Sequence, residues 1–433
     1  MLNLDQLKDT ALQLDQEDTL QGFRNQFYGV DDHIYMDGNS LGLMSKKAEQ
    51  SVLRVLQDWK ELGIDGWMNG DIPWYYYAEK SAEIQASLLG AKPNEVIVTG
   101  STTVNLHQLM ATFYRPQGNR KKILADALNF PTDIYALQSQ VQLHGFDVDE
   151  TLLLVPSEDG RTINEKTVVE WMDRHHDEIA IVMLPAVLYR SGQLLDMAYL
   201  TKEAHDRGLL IGFDLCHSAG SVEHDLHEWG VDFAFWCNYK YFNSGPGSVA
   251  SLYVHEKHHG AVPGLAGWFG TQKDKQFDMS LSFEPEPSAG GFQIGTPHML
   301  SMAPVHGSMQ LFQEAGMTNI RKKSLALTDY LVKLVQAYNE QVDEEKRLTI
   351  GTPLKAENRG GHIALEHSEA PRICKALKDA GVIPDFRSPN VIRLAPVALY
   401  TRFIDVYHMM TTLAQIMNEE QYKKYEQGRD VVA

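Results

Sequence analysis

Seven short apolar runs between residues 95 and 254 constrain this chain most. They span 95–99, 122–125, 152–155, 179–184, 209–213, 233–236 and 249–254. Each is continuous rather than alternating, which marks strands buried on both faces. The stretches between them carry helical spacing. Buried strands alternating with helices define an α/β fold: a mostly parallel sheet of about seven strands with helices on both faces. In such sheets ligands sit beyond the carboxyl ends of the strands.

Polar residues collect at those ends. Ser101, Thr102 and Thr103 follow the first run, residues 126–133 the second, Asp214 and His217 the fifth, and Lys240 the sixth. A lysine ending a buried strand is costly unless its charge is paired or its pKa falls. It either reaches for water or serves as an amine nucleophile of the Schiff-base kind. The neighbouring run ends in Asp214. An aspartate to hold a pyridinium proton and a lysine to hold an aldehyde carbon together suggest pyridoxal phosphate (PLP).

Other motifs read two ways. Hydroxyls at the start of the helix after residue 101 either bind an anion or cap the helix. Neither a Walker loop nor a Gly-x-Gly-x-x-Gly fingerprint is present. Asn129-Phe130-Pro131-Thr132-Asp133 places a ring and a carboxylate over a planar ligand, or is a packing turn. Asp214 could also cap a helix. Arg393, inside the apolar run Val391-Ile392-Arg393-Leu394, pairs with an internal carboxylate or with the α-carboxylate of an amino-acid substrate. His255-Glu256-Lys257-His258-His259 matches the zincin pattern, but that chemistry needs a helix. Here the motif follows a strand and stops at Gly260, and the cysteines lack metal-ligand spacing, so no metal is expected.

At 433 residues the chain is long enough for two domains. Residues 1–30 read as an acidic amphipathic helix, and residues 1–50 as an arm packing on the smaller domain. Residues 51–305 form the large domain and 306–433 a smaller α+β one. Within the first lies a Gly- and aromatic-rich loop, 63–77, with Trp67, Trp74 and three consecutive tyrosines. Residues 305–345 read as helical. The net charge of −18, from 39 basic and 57 acidic residues, argues against nucleic acid and anionic membranes. Three cysteines make no disulfide framework, and a reducing cytoplasm is expected. No basic n-region or apolar h-region opens the chain, and no run is long enough to span a membrane.

Taken together, these motifs resemble the kynureninases, fold-type-I PLP enzymes of the aminotransferase class V group. The resemblance covers most of the chain. It rests on Asp37-Gly38-Asn39-Ser40-Leu41-Gly42, Thr103-Val104-Asn105-Leu106-His107, Asn129-Phe130-Pro131-Thr132-Asp133, Asp214-Leu215-Cys216-His217-Ser218-Ala219-Gly220, Asn238-Tyr239-Lys240-Tyr241, Phe292-Gln293-Ile294-Gly295-Thr296-Pro297 and Arg393-Leu394-Ala395-Pro396. It implies that Lys240 bonds the cofactor, Asp214 pairs with its ring nitrogen and Phe130 stacks on its ring, with Asp133 and His217 nearby. Thr102, Thr103 and Tyr239 would meet the phosphate. Trp268 and Thr296 would reach it from the second subunit of a homodimer. Thr296 stands where several family members carry Asn. Arg393 would hold the substrate carboxylate, and Tyr239 would relay protons. The implied reaction is hydrolytic Cβ–Cγ cleavage of L-kynurenine, or its 3-hydroxy derivative, to anthranilate (or its 3-hydroxy form) and alanine. The rival within the group is a cysteine desulfurase or selenocysteine lyase. Such enzymes need a cysteine on a mobile loop, whereas Cys216 and Cys237 lie at strand ends and Cys374 in a predicted helix.

Overall fold

The computed structural model describes residues 4–428. Met1–Asn3, part of the stretch from which no signal peptide is expected, lie outside them. After a short strand β1 (Ile34–Tyr35) come β2 (Val96–Val98), β3 (Lys122–Asp126), β4 (Leu152–Val155), β5 (Ile179–Pro185), β6 (Leu210–Asp214), β7 (Phe233–Trp236) and β8 (Ser251–Val254). These seven form one sheet in the order β2-β8-β7-β6-β5-β3-β4. All neighbours from β7 to β4 are parallel, and only β8 runs against its two neighbours. Strands β2, β7 and β8 are buried at every position, as continuous apolar runs require.

A second sheet is antiparallel, in the order β12-β13-β10-β9. Its strands are β9 (Thr349–Ile350), β10 (Ile363–Glu366), β12 (Asp385–Arg387) and β13 (Val391–Leu394); β11 (Val382–Ile383) instead pairs with β1. Each sheet has its own hydrophobic cluster. The division expected at 305/306 falls inside the helix Met299–Ala315, whose buried residues, and those on to Ile320, pack in the first cluster.

Two helical stretches are shorter than their sequence patterns suggest. The helix Leu4–Glu17 ends because the Asp18 carboxylate takes the Leu20 N–H at 2.8 Å, and a 3₁₀ turn follows. The 305–345 pattern divides at Gly316, which has φ +75° and separates Met299–Ala315 from Met317–Asn339. The first helix docks on the second unit. Asp15 accepts the Phe403 and Ile404 N–H groups at 2.7 and 3.0 Å, capping the helix Phe403–Asn418. The Tyr330 hydroxyl donates to the Leu7 carbonyl at 2.7 Å. Among the described residues no helix is long and apolar enough to cross a membrane.

Candidate active site

Strands β6 and β7 are adjacent and parallel, with Asp214 in register with Phe235. The turns beyond them therefore bring Asp214, His217 and Lys240 to one sheet edge. Lys240 Nζ donates to His217 Nε2 at 3.1 Å, which places the ring hydrogen on Nδ1. Burial pushes the Lys240 ammonium down, but Cys237, Cys216 and Asp214 outweigh it and hold it above the ordinary lysine value. Of the two routes open to a strand-end lysine, a fallen pKa is not the one taken. His217 is driven well below the usual imidazole range by burial and by Lys240, so its ring is neutral. The Phe130 ring lies 5.9 Å from Lys240 Nζ, packs edge-on to Tyr189 and is 39% exposed, leaving a face for a ligand. Tyr239 hydrogen-bonds Cys237, and burial, then Cys237, pushes its phenol far up, so it keeps its proton.

Three buried carboxyls lie behind this group. Asp214 Oδ1 accepts the Cys216 N–H at 2.7 Å. Asp133, at the start of the helix Pro131–Leu143, reaches Asp214; burial and then the Asp214 charge hold it well above the usual carboxylate range. Asp133 therefore carries the proton of the pair. Asp126, the last residue of β3, is fully buried, accepts the Leu128 N–H at 2.9 Å and is pushed up to about 7 by burial. A carboxyl with a raised folded pKa contributes stability that is complete below its unfolded value, near 4, and is lost as pH rises toward 7. Asparagine keeps the Leu128 bond without the charge. Asp126→Asn should therefore raise the melting temperature of cofactor-free protein more at pH 8 than at pH 5. An equal shift at both would deny the titration.

These residues fit PLP. Asp133 Oδ2 and His217 Nδ1 are buried without partners beside Asp214 and Lys240. The helix Thr102–Phe113 starts without a side-chain cap, so the half-buried Thr102 and Thr103 present free N–H groups and hydroxyls suited to a phosphate. Gly42 has a steric reason. A Cβ there would lie 2.2 Å from Asn243 Oδ1 and 2.4 Å from the Lys240 carbonyl oxygen, so the Asp37–Gly42 turn closes tightly on the lysine segment.

Arg393 lies on β13, 1% exposed, and donates through Nε to Asp385 Oδ2, which is in register with it on β12. Its Nη1 donates to the Tyr189 carbonyl at 2.7 Å and its Nη2 to Ser40 Oγ at 3.2 Å. The internal carboxylate left open by the sequence is thus Asp385. Each Nη carries a second hydrogen that remains for a ligand. Arg387, not foreseen, joins this group: its Nε lies 3.1 Å from the same Asp385 oxygen and its Nη2 3.3 Å from the same Ser40 hydroxyl. The alternation Asp385-x-Arg387 on one strand was its signal. His362 was also missed. It is fully buried, its ring 5.8 Å from that of His217.

Trp268 and Thr296 are not joined to this cluster within the chain. The Trp268 indole donates to the Gln276 carbonyl at 3.0 Å and is 44% exposed. Thr296 is exposed and, with Thr99, Gly100, Val104 and Asn105, lines a pocket of about 240 Å³ beside the start of the helix Thr102–Phe113. The zincin-like motif forms a 3₁₀ turn: His255 caps Lys257 and His258 bonds Asp232 at 2.8 Å. Glu95, His227 and His255 offer ligand atoms within 4.8 Å of one another. However, Glu95 already accepts from His227 Nδ1 and from the Glu256 and Lys92 N–H groups.

An aspartate ending one strand and a lysine in the turn beyond its parallel neighbour, beside an uncapped helix start, define a PLP-dependent enzyme of fold type I. The aminotransferase class V model matches residues 74–365 and the kynureninase C-terminal domain model residues 320–413. A cysteine desulfurase from Thermococcus onnurineus NA1 has the same fold at TM-score 0.75, with 16% identity and coverage of 92% of this chain and 98% of that one. A C-DES mutant with glycine covalently linked to its PLP-cofactor matches at TM-score 0.74, with 17% identity over 90% of this chain and 98% of that one. The kynureninase of Geobacillus thermodenitrificans is 58% identical over 98% of this chain and 97% of its own length. That of Shouchella clausii is 57% identical over 98% of each. The chain belongs to the kynureninase family.

Proposed function

We propose that this protein hydrolyses the Cβ–Cγ bond of L-kynurenine, and of its 3-hydroxy derivative, releasing anthranilate or 3-hydroxyanthranilate and L-alanine. In this reading it works in the cytoplasm as a homodimer, in tryptophan catabolism and NAD biosynthesis. The observation that carries the reading is the convergence of Lys240, His217, Asp214 and Phe130 at one sheet edge. Bound PLP supplies an electron sink for charge developing next to the substrate α-carbon. Lys240 would hold the cofactor and afterwards carry protons as a free amine; Asp214 would face the ring nitrogen, and Phe130 would cover the ring. Thr102 and Thr103 would take the phosphate. Tyr239, kept protonated, would donate a proton to the departing carbon. Arg393 would hold the α-carboxylate. Water adds to the γ-carbonyl, and its oxygen leaves in anthranilate. All three cysteines are buried, which disfavours a desulfurase thiol on a mobile loop. The test is to add L-kynurenine to PLP-loaded protein and follow anthranilate fluorescence; no fluorescence would defeat the reading.

The dimer would share its sites. Exposed Trp268 and Thr296 would then meet the phosphate held by the partner, one copy completing the other about a two-fold axis. Lys240→Ala and a chain carrying Trp268→Ala with Thr296→Ala should each be poorly active. Mixed dimers hold one site with both defects and one with neither. After subunit exchange, each mixed dimer should recover about half the activity of an unaltered dimer by this symmetry argument. No recovery would mean that both residues serve their own chain.

A further inference from the structure

We propose that Arg387 is a specificity-determining residue of this site, reading the substrate α-carboxylate together with Arg393. The inference rests on the assignment of that carboxylate to Arg393. Its motive is charge. Arg393 and Asp385, both buried, form a neutral pair. A carboxylate added to that pair alone would leave a buried surplus of negative charge, which is expensive. Arg387 supplies the missing positive charge. It bonds the same Asp385 oxygen as Arg393, and both Nη2 atoms point at one hydroxyl, Ser40 Oγ, from 3.3 and 3.2 Å. Two guanidinium ends converging on one oxygen make a focus for an anion.

Exposure separates the two roles. Arg393 is 1% exposed and locked by three bonds, whereas the Arg387 side chain is 34% exposed, at the rim. Arg393 is thus fixed in place, and Arg387 meets the ligand on arrival. Asp37, the second carboxyl facing both arginines, is pushed up to about 6 by burial and by Asp385. A substrate carboxylate brought beside it would raise it further, and its protonation would leave the second guanidinium to the ligand.

The test compares two ligands on PLP-loaded protein, read from the cofactor absorption band: L-kynurenine, and kynuramine, the same molecule without its carboxylate. Arg387→Gln should weaken L-kynurenine binding and raise its KM by roughly ten- to a hundredfold, the range of a hydrogen bond to a charged group. Binding of kynuramine and kcat should hold within about twofold. Arg387→Lys, which keeps the charge and loses the fork, should fall between. Equal weakening of both ligands, or unchanged L-kynurenine binding, overturns the proposal, because a residue that merely braces Asp385 gives one of those results. If Arg387→Gln does not fold, Arg387→Lys decides on the same criterion. Arg393→Lys is the control. If it leaves the preference for L-kynurenine over kynuramine intact, the carboxylate is read elsewhere and both assignments fall. If it removes that preference while Arg387→Gln does not, only Arg387 is wrong.

Discussion

Lys240→Ala should still bind PLP weakly but lose turnover by roughly 10²–10⁴-fold from proton transfer alone, and by more once the missing covalent link is counted. The reason lies in what surrounds Nζ. Its hydrogen bond runs to the neutral ring of His217, and Cys237, Cys216 and Asp214 nearby hold its pKa up against burial. Among the described residues no carboxylate forms a salt bridge with Nζ, so it is free to exchange its partner for a carbonyl carbon. Borohydride reduction of the loaded protein, followed by peptide mapping, should place the pyridoxyl group on Lys240. A label on another lysine would defeat the assignment. An Ala variant that keeps normal turnover would make Lys240 a structural residue.

What could be read from the chain alone follows from how local each signal is. The seven strands were legible because each is short, continuous and apolar, and Asp214, His217 and Lys240 were legible because they end such runs. The partner of Arg393 was not. The stretch 382–385 has the apolar look of a single strand, but Pro384 has no N–H to continue a ladder. The segment divides there: β11 pairs with β1, and β12 starts at Asp385 beside β13. That break delivers Asp385 and Arg387 to Arg393. The helix Phe403–Asn418 was also missed. It is apolar on several sides because it packs against Leu4–Glu17, Met317–Asn339 and Ala370–Asp379, so its periodicity is blurred. His362 carried no signal, since a lone histidine after two glycines has no pattern. The roles of Trp268 and Thr296 depend on a second copy, which no spacing within one chain can encode.

Asp214→Asn should cost turnover heavily while leaving the fold intact. A carboxylate against a ring nitrogen keeps that nitrogen protonated, and a hydrogen bond of this charged kind is worth about 1.5–3 kcal/mol, or roughly ten- to a hundredfold, before any amplification in the transition state. The neighbourhood decides how clean the loss is. Asp133 stands well above the carboxylate range through burial and then the Asp214 charge. Removing that charge lets Asp133 ionise more easily, so this carboxyl, bonded to residue 214, can stand in. The expected result is therefore a large fall in turnover at neutral pH, with part of it recovered as pH rises and Asp133 loses its proton. Asp133→Asn in the same chain should remove that recovery. The Cys216 N–H now bonded by Asp214 Oδ1 can be accepted equally by an asparagine oxygen, so the turn after β6 should survive. Near-normal turnover in Asp214→Asn, at every pH, would show that the residue only caps this turn.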